Sequence, residues 1–216
     1  MERSASMEIG LKCSCGSLSG VARGPFKAKN NRAVCLCDDC QTYAHHLGTA
    51  ENILDENGGT EVTPLYPAQI ELTKGIENLR CVRLSPKGLF RWYAGCCQTP
   101  IANSVSATVP FAGVVHTFLD LRNEVDRVAA LGPVYVRFFG RFGIGILPPK
   151  TANKNSLKLI LYSLPFLMTG FLNKKHKPNP FFDTATGQPK VIPTILTKTE
   201  RDKIRKKLTI LREAKL

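Results

Sequence analysis

Hydrophobic and polar positions alternate over short stretches in the first hundred residues and lengthen to helical periods beyond them. GSLSGVAR (16–23) and AQIELTKG (68–75) alternate and stop at turn residues, and both predict strands. LRCVRLSPKGLFRWYA (79–94) has two alternating arms about Ser85-Pro86-Lys87-Gly88, the pattern of a β-hairpin. Between them ENILDENGGTEVTPLYP (51–67) has a Gly-Gly turn, two prolines and little periodicity, which predicts a long loop or a short pairing extension.

After residue 105 the periods change. LDLRNEVDRVAALG (119–132) spaces apolar residues helically and ends in glycine, a helix with a stop. PVYVRFFGRFGIGILPP (133–149) reads as a strand followed by a loop. SLKLILYSLPFLMTGFL (156–172) is the most hydrophobic stretch but contains Lys158 and Pro165, and it falls short of the ~20 residues that span a bilayer. A buried or kinked helix is expected there, with a membrane-surface segment as the alternative because Lys174, Lys175 and Lys177 follow at once. NPFFDTATGQPKVIPT (179–194) predicts an extended arm lying over another surface. The last twenty residues predict a helix capped by Thr197 and Glu200, with Ile204, Leu208 and Leu211 on one stripe.

Charge sharpens this division. The chain has 216 residues and a net charge of +13. Residues 1–105 hold 11 Lys/Arg and 10 Asp/Glu, leaving 19 and 7 for 106–216, so nearly all of the excess lies in the second part. All eight cysteines lie in the first. The expected organisation is therefore a mainly β, all-β zinc-binding domain over 1–105 and a basic, partly helical C-terminal extension over 106–216. An excess of this size fits an anionic partner for that second half: nucleic acid, anionic lipid or an acidic protein surface.

MERSASMEIGLKC, the start, lacks the apolar run of a signal peptide, and no transmembrane segment is expected elsewhere. A cytoplasmic, reducing location follows as the expectation, and there clustered cysteines are more often metal ligands or catalytic groups than disulfides. Cys13 and Cys15 together with Cys96 and Cys97 suit one tetrahedral zinc. Cys35, Cys37 and Cys40, in CLCDDC, form a second group that can grip a metal from one short loop and leave its fourth position open. Three thiolates on a divalent zinc carry a formal charge of −1, a soft site suited to a thiol guest. A closed structural zinc completed by His45 or His46 is the alternative. Asp38 and Asp39 are expected to face solvent from the loop, His45 and His46 to be surface polar groups, and Arg91 to be solvated or ion-paired.

Four stretches together resemble the CENP-V/GFA family, the glutathione-dependent formaldehyde-activating enzymes and their relatives. They are KCSCGSLSG (12–20), CLCDDCQTYAHHLG (35–48), LTKGIENLRCVRL (72–84) and RWYAGCCQTPIAN (91–103), and the resemblance spans roughly residues 8–105. It implies a compact, twisted all-β domain with two zinc ions. Cys35, Cys37 and Cys40 match the catalytic triplet, while Cys13, Cys15 and Cys97 match three structural ligands. The implied activity is that of a carbon–sulfur lyase joining formaldehyde to glutathione.

The chain departs from the family pattern in three places. Ala94 and Gln98 stand where the last family motif carries a cysteine and a glycine, and Leu36 stands where many relatives carry histidine. The fourth structural ligand is then expected to be Cys96, with Cys81 as the other candidate. The alternative function is a non-catalytic, zinc-stabilised binding module whose basic half contacts nucleic acid, anionic lipid or a protein.

Overall fold

A computed structural model describes residues 7–26, 32–121, 123–155 and 157–214. Parts of four sequence readings lie outside the described residues: positions 1–6 of the leader stretch, Arg122 and Ser156 of the two middle helices, and 215–216 at the end. The fold is mostly β, with two sheets and several helices.

β1 (Glu8–Lys12), β2 (Ser19–Arg23) and β5 (Ile70–Lys74) form a three-stranded antiparallel sheet. In β1 the alternation is clean: Ile9 and Leu11 are buried between exposed Glu8, Gly10 and Lys12, so one face of this sheet can be apolar. That face packs with one side of the second sheet around Trp92, Cys81, Ala102 and Val114.

The second sheet has eight strands. They are β3 (Arg32–Cys35), β4 (Thr60–Leu65), β6 (Leu79–Arg83), β7 (Phe90–Ala94), β8 (Thr99–Ser104), β9 (Ala112–Val115), β10 (Val134–Phe138) and β11 (Thr194–Ile195). Their spatial order is β10-β3-β4-β9-β8-β7-β6-β11. Both edge strands, β10 against β3 and β11 against β6, pair in parallel, and both come from the basic half of the chain. The sheet thus runs across residue 105 without a break, although the charge changes there. The hairpin over 79–94 is present, with Cys81 opposite Trp92 and the Gly88 N–H bonded to the Ser85 carbonyl at 2.9 Å.

Of the two readings of residues 51–67, the pairing one holds and the long loop does not: a short helix α2 (Ala50–Ile53) precedes β4, an interior strand between β3 and β9. The turn between them is held by Asp55, whose Oδ1 accepts the N–H groups of Asn57 at 3.0 Å and Gly59 at 2.7 Å. Nor is the stretch after Cys35 a loop. Helix α1 (Asp38–Leu47) begins inside the cysteine motif and ends at Gly48, whose φ of 73° lies in the left-handed region that glycine tolerates. α1 covers the other face of the large sheet, where Tyr43, Ala44 and Leu47 meet Val82, Leu84 and Val115.

The remaining helices are α3 (Glu124–Leu131), α4 (Leu157–Leu172) and α5 (Lys198–Glu213). α5 has the expected capping box, Thr197 Oγ1 accepting the Glu200 N–H at 3.2 Å and Glu200 Oε2 accepting the Thr197 N–H at 2.8 Å. Its stripe turns inward at Leu208, which is fully buried. The arm over 179–194 lies over the main core: Phe181 stacks on Trp92 at 5.0 Å between ring centroids, and Phe182 meets the same indole edge-on at 5.4 Å. α4 is less buried than expected: Leu157, Ile160, Leu161, Leu164, Met168 and Phe171 are all at least half exposed.

Buried Arg32 closes the sheet edge beside α3. Its guanidinium donates to both carboxylate oxygens of Glu61 at 2.8 Å, to Glu124 at 2.7 Å and to the Gly132 carbonyl at 3.0 Å. No hydrophobic pattern announces such a group, because it is polar and interior.

Candidate metal centres

Cys13 and Cys15 follow β1, and Cys96 and Cys97 sit in the turn between β7 and β8. The four sulfurs lie within 4.8 Å of one another. Neighbouring separations are 3.6 Å for Cys13–Cys15, 3.4 Å for Cys15–Cys96 and 3.8 Å for both Cys13–Cys96 and Cys96–Cys97. Four thiolates around a metal with sulfur bonds of ~2.3 Å stand ~3.8 Å apart, so the spacing is that of a tetrahedral site.

The backbone is shaped to aim these sulfurs. The Leu18 N–H points at Cys13 Sγ at 3.3 Å, and Gln98, at φ 58°, takes the left-handed turn that brings Cys96 and Cys97 round together. Burial works against ionising Cys97. Hydrogen bonds from the Ser14 and Thr99 hydroxyls and from backbone N–H groups outweigh it and bring the thiol down to about 5. Cys81 does not join the group; it is 2% exposed in the main core, where burial pushes its thiol up to about 12.

The second group forms where β3 gives way to α1. Cys35 ends the strand, Cys37 is the helix N-cap with its sulfur accepting the Cys40 N–H at 3.3 Å, and Cys40 lies in the first turn. The three sulfurs lie within 4.8 Å of one another, with no fourth histidine, cysteine or carboxylate ligand atom in that range among the described residues. A helix N-terminus favours negative charge, so this junction suits thiolates. Hydrogen bonds from Cys35 and Cys37 hold Cys40 well below the ordinary thiol range; burial opposes this, and the Arg91 charge adds to it. The Cys35 thiol rises well above that range, because it is the one that gives hydrogen bonds to Cys37 and Cys40 in a buried place. Both groups can hold a metal ion.

Around the triplet opens a cavity of about 570 Å³, lined by the three cysteines and by Phe111, Phe138, Phe139 and Phe142, with Arg91, Arg141 and Arg205 among the polar residues. Of the two expectations for Arg91, ion-paired holds and solvated does not: its Nη2 lies 3.9 Å from Asp39 Oδ2. The arginine is 2% exposed, with Nη1 at 3.9 Å from Cys40 Sγ and 3.2 Å from Asn103 Oδ1.

Asp38 and Asp39 also depart from expectation. They are fastened to α5: Arg205 reaches Asp38 and Asp39 at 2.6 Å each, and Arg212 reaches Asp38 and the Gln41 side-chain oxygen at 2.9 Å each. The C-terminal helix thus braces the helix that carries Cys40. Sequence separations of more than 160 residues conceal this contact, and only the excess of arginine in α5 hints at it. His45 and His46 lie in the last turn of α1, at the far end from the cysteines, and neither joins the metal-ligating group.

No helix among the described residues is long and apolar enough to cross a membrane. No curated protein matches the sequence. A solved Rhodobacter sphaeroides protein, a structural genomics target, is similar at 17% identity and a TM-score of 0.41, over 58% of this chain and 96% of that one. Residues 5–192 match a family of unknown function, DUF6151, and the chain belongs to that family.

Proposed function

We propose that the chain is a zinc protein of the CENP-V/GFA type that binds a thiol of the glutathione kind and handles its aldehyde adduct, in the manner of a carbon–sulfur lyase. One observation carries the reading: three cysteine sulfurs, gathered without a fourth protein ligand among the described residues, border a cavity large enough for a small molecule.

The donor sets fit zinc. Four sulfurs at tetrahedral spacing suit a closed structural ion, and three suit an ion that still accepts a guest. Bound zinc would lower the pKa of a thiol and hold its sulfur for attack on a carbonyl carbon.

The chain's own residues do the rest. Cys35, Cys37 and Cys40 form the seat. Buried Arg91 balances the surplus negative charge of three thiolates. Asp39, which lines the cavity and lies 3.9 Å from Arg91, takes the thiol proton and returns it to the carbonyl oxygen as the carbon–sulfur bond forms. Phe138, Phe139 and Phe142 give the cavity an apolar wall that limits water around the reacting carbon.

Zinc K-edge absorption on protein with counted metal, with and without millimolar glutathione, tests the reading. Two zinc ions are expected, one of them gaining a sulfur ligand when glutathione is added. An unchanged ligand set would overturn the proposal and leave a binding module with two structural metals. Cys37→Ser is expected to abolish aldehyde-dependent turnover while the fold survives on the other group.

A further inference from the structure

Helix α4 has two apolar faces, and the protein uses one. On the inner side Phe166 stacks on Tyr66 at 4.2 Å with the rings 9° from parallel, and the Tyr66 hydroxyl donates to the Phe166 carbonyl at 2.9 Å. Gly170 is buried where a Cβ would come within 2.7 Å of both Pro110 and Tyr66, so the helix sits tightly on the body. The outer side carries Leu157, Ile160, Leu161, Leu164, Met168 and Phe171, each at least half exposed and up to 69% for Leu157. Steps of three and four residues place them on one stripe. Single exposed apolar residues are ordinary, but a continuous stripe of six marks a surface that something covers.

The charge around the stripe identifies the cover. Between Asp126 and Asp183 the sequence has no acidic residue and nine Lys/Arg. Lys150 and Lys154 precede the helix, and Lys174, Lys175 and Lys177 follow it, all five exposed. The backbone fixes the last group in place: the Lys174 N–H bonds the Phe171 carbonyl at 3.1 Å and the Lys175 N–H bonds the Gly170 carbonyl at 2.8 Å. An apolar stripe with cations before and after it and no acidic residue in its own segment complements a surface that is apolar below and anionic at its boundary.

We infer that α4 docks this protein on the surface of an anionic lipid bilayer, with the outer stripe in the acyl–headgroup boundary and the flanking lysines among the headgroups. A second copy of the chain is a poorer cover, because stacking two such stripes brings lysines together with no acidic residue between them. Spanning is excluded by length. The 16 residues of α4 reach about 24 Å at ~1.5 Å each, against a hydrocarbon core of ~30 Å. Pro165 also leaves the carbonyl of residue 161 without its helical donor, which water at an interface can supply and hydrocarbon cannot. The inference is independent of the metal-site reading.

The test is co-sedimentation of the full chain with phosphatidylcholine vesicles and with vesicles containing about a third phosphatidylserine, at low and high salt. Binding is expected to the anionic vesicles and to fall about tenfold or more on neutral vesicles or in high salt. Leu161→Glu with Met168→Glu should abolish it. Lys174→Gln with Lys175→Gln, exposed changes that leave the stripe intact, should weaken it about tenfold and keeps the test decisive if the first variant misfolds. Absence of vesicle binding, or equal binding to neutral and anionic vesicles, would overturn the inference. So would light scattering that shows a dimer abolished by the leucine and methionine changes in a chain that ignores vesicles.

Discussion

Arg91 Nη1 lies 3.9 Å from Cys40 Sγ in a position 2% exposed, a guanidinium held in the interior by a thiol cluster and the Asn103 side chain. A buried cation needs compensating negative groups, and the three-cysteine site lies beside it together with the Asp39 carboxylate at 3.9 Å. Arginine and site are therefore a unit: the negative groups justify the arginine, and the arginine favours the thiolates.

Replacing Arg91 by methionine removes that charge and keeps most of the volume. Metal affinity at the Cys35, Cys37 and Cys40 group is expected to drop about 10–100-fold, the usual effect of losing a group that supports metal ligands, with the Cys13 group unaffected. Competition against a chromophoric chelator reads both sites at once. Equal affinities in the variant and the parent would show that Arg91 serves packing alone.

The four-cysteine group separates cleanly from Cys81. Cys96→Ala should lower bound metal by one ion per chain and lower the melting temperature with it, because ligand binding contributes directly to folding. Cys81→Ala should leave metal content intact and cost about 1 kcal/mol for a small core void. Metal counting on the two purified variants decides; loss of metal from Cys81→Ala would move the fourth ligand there.

Much of this was legible in the sequence, and what was missed has physical causes. Both cysteine groups followed from spacing and residue chemistry, because sulfur ligands are rare and conspicuous. The hairpin over 79–94 and the α5 cap were legible for a similar reason: turn and capping residues act locally. β4 was legible only as one of two alternatives, because Pro64 and the Gly58-Gly59 turn ordinarily mark loops but here sit in and beside an interior strand. The first turn of α1 was hidden because Cys37 is an unusual N-cap and because the motif reads as ligands before it reads as a helix. Arg32, Arg91 and the α5 brace depend on contacts between distant segments, which no local pattern encodes.

That brace carries its own prediction. Arg205→Ala with Arg212→Ala frees Asp38 and Asp39, and since these pairs are partly exposed and screened, the combined cost should be only about 1–2 kcal/mol. The larger effect should be on access. Arg205 lines the cavity beside the triplet, so iodoacetamide should label metal-free Cys37 several-fold faster, by about 3-fold or more if one partner of each pair no longer holds the helix start. Unchanged labelling would confine α5 to a packing role.

Stability should depend on pH through the histidines. Burial, the leading cause in each, lowers the pKa of His45, His46 and His116 below the ordinary imidazole value; at His116, Glu61 acts in the opposite direction while Arg127 and Arg32 reinforce the lowering. The unfolded chain then binds more protons than the folded one as pH falls below about 6.5, so this contribution is present above that pH and is lost beneath it. Urea midpoints at pH 5.5, 6.5 and 7.5 should fall toward the acid end. His116→Gln, which removes a half-buried ring whose buried Nδ1 has no hydrogen-bond partner among the described residues, should flatten the decline, and a slope identical to the parent's would remove His116 from the account.

Trp92, the single tryptophan, reports on the arm that ties the basic half to the β core. Phe181 stacks on it with the rings 17° from parallel, and Asn179 Oδ1 fixes the approach by accepting the Phe181 N–H at 3.0 Å and the Phe182 N–H at 3.2 Å. Phe181→Ala empties a fully buried ring-sized space and should cost about 3–5 kcal/mol, whereas Phe181→Leu keeps most of the apolar volume and should cost less than half as much, about 1–2 kcal/mol. Urea unfolding followed by indole emission measures both. If the arm were merely laid over the surface, the alanine variant would unfold at the parent's midpoint; a large loss shared by emission and far-ultraviolet circular dichroism means that residues on both sides of the charge boundary unfold as one unit.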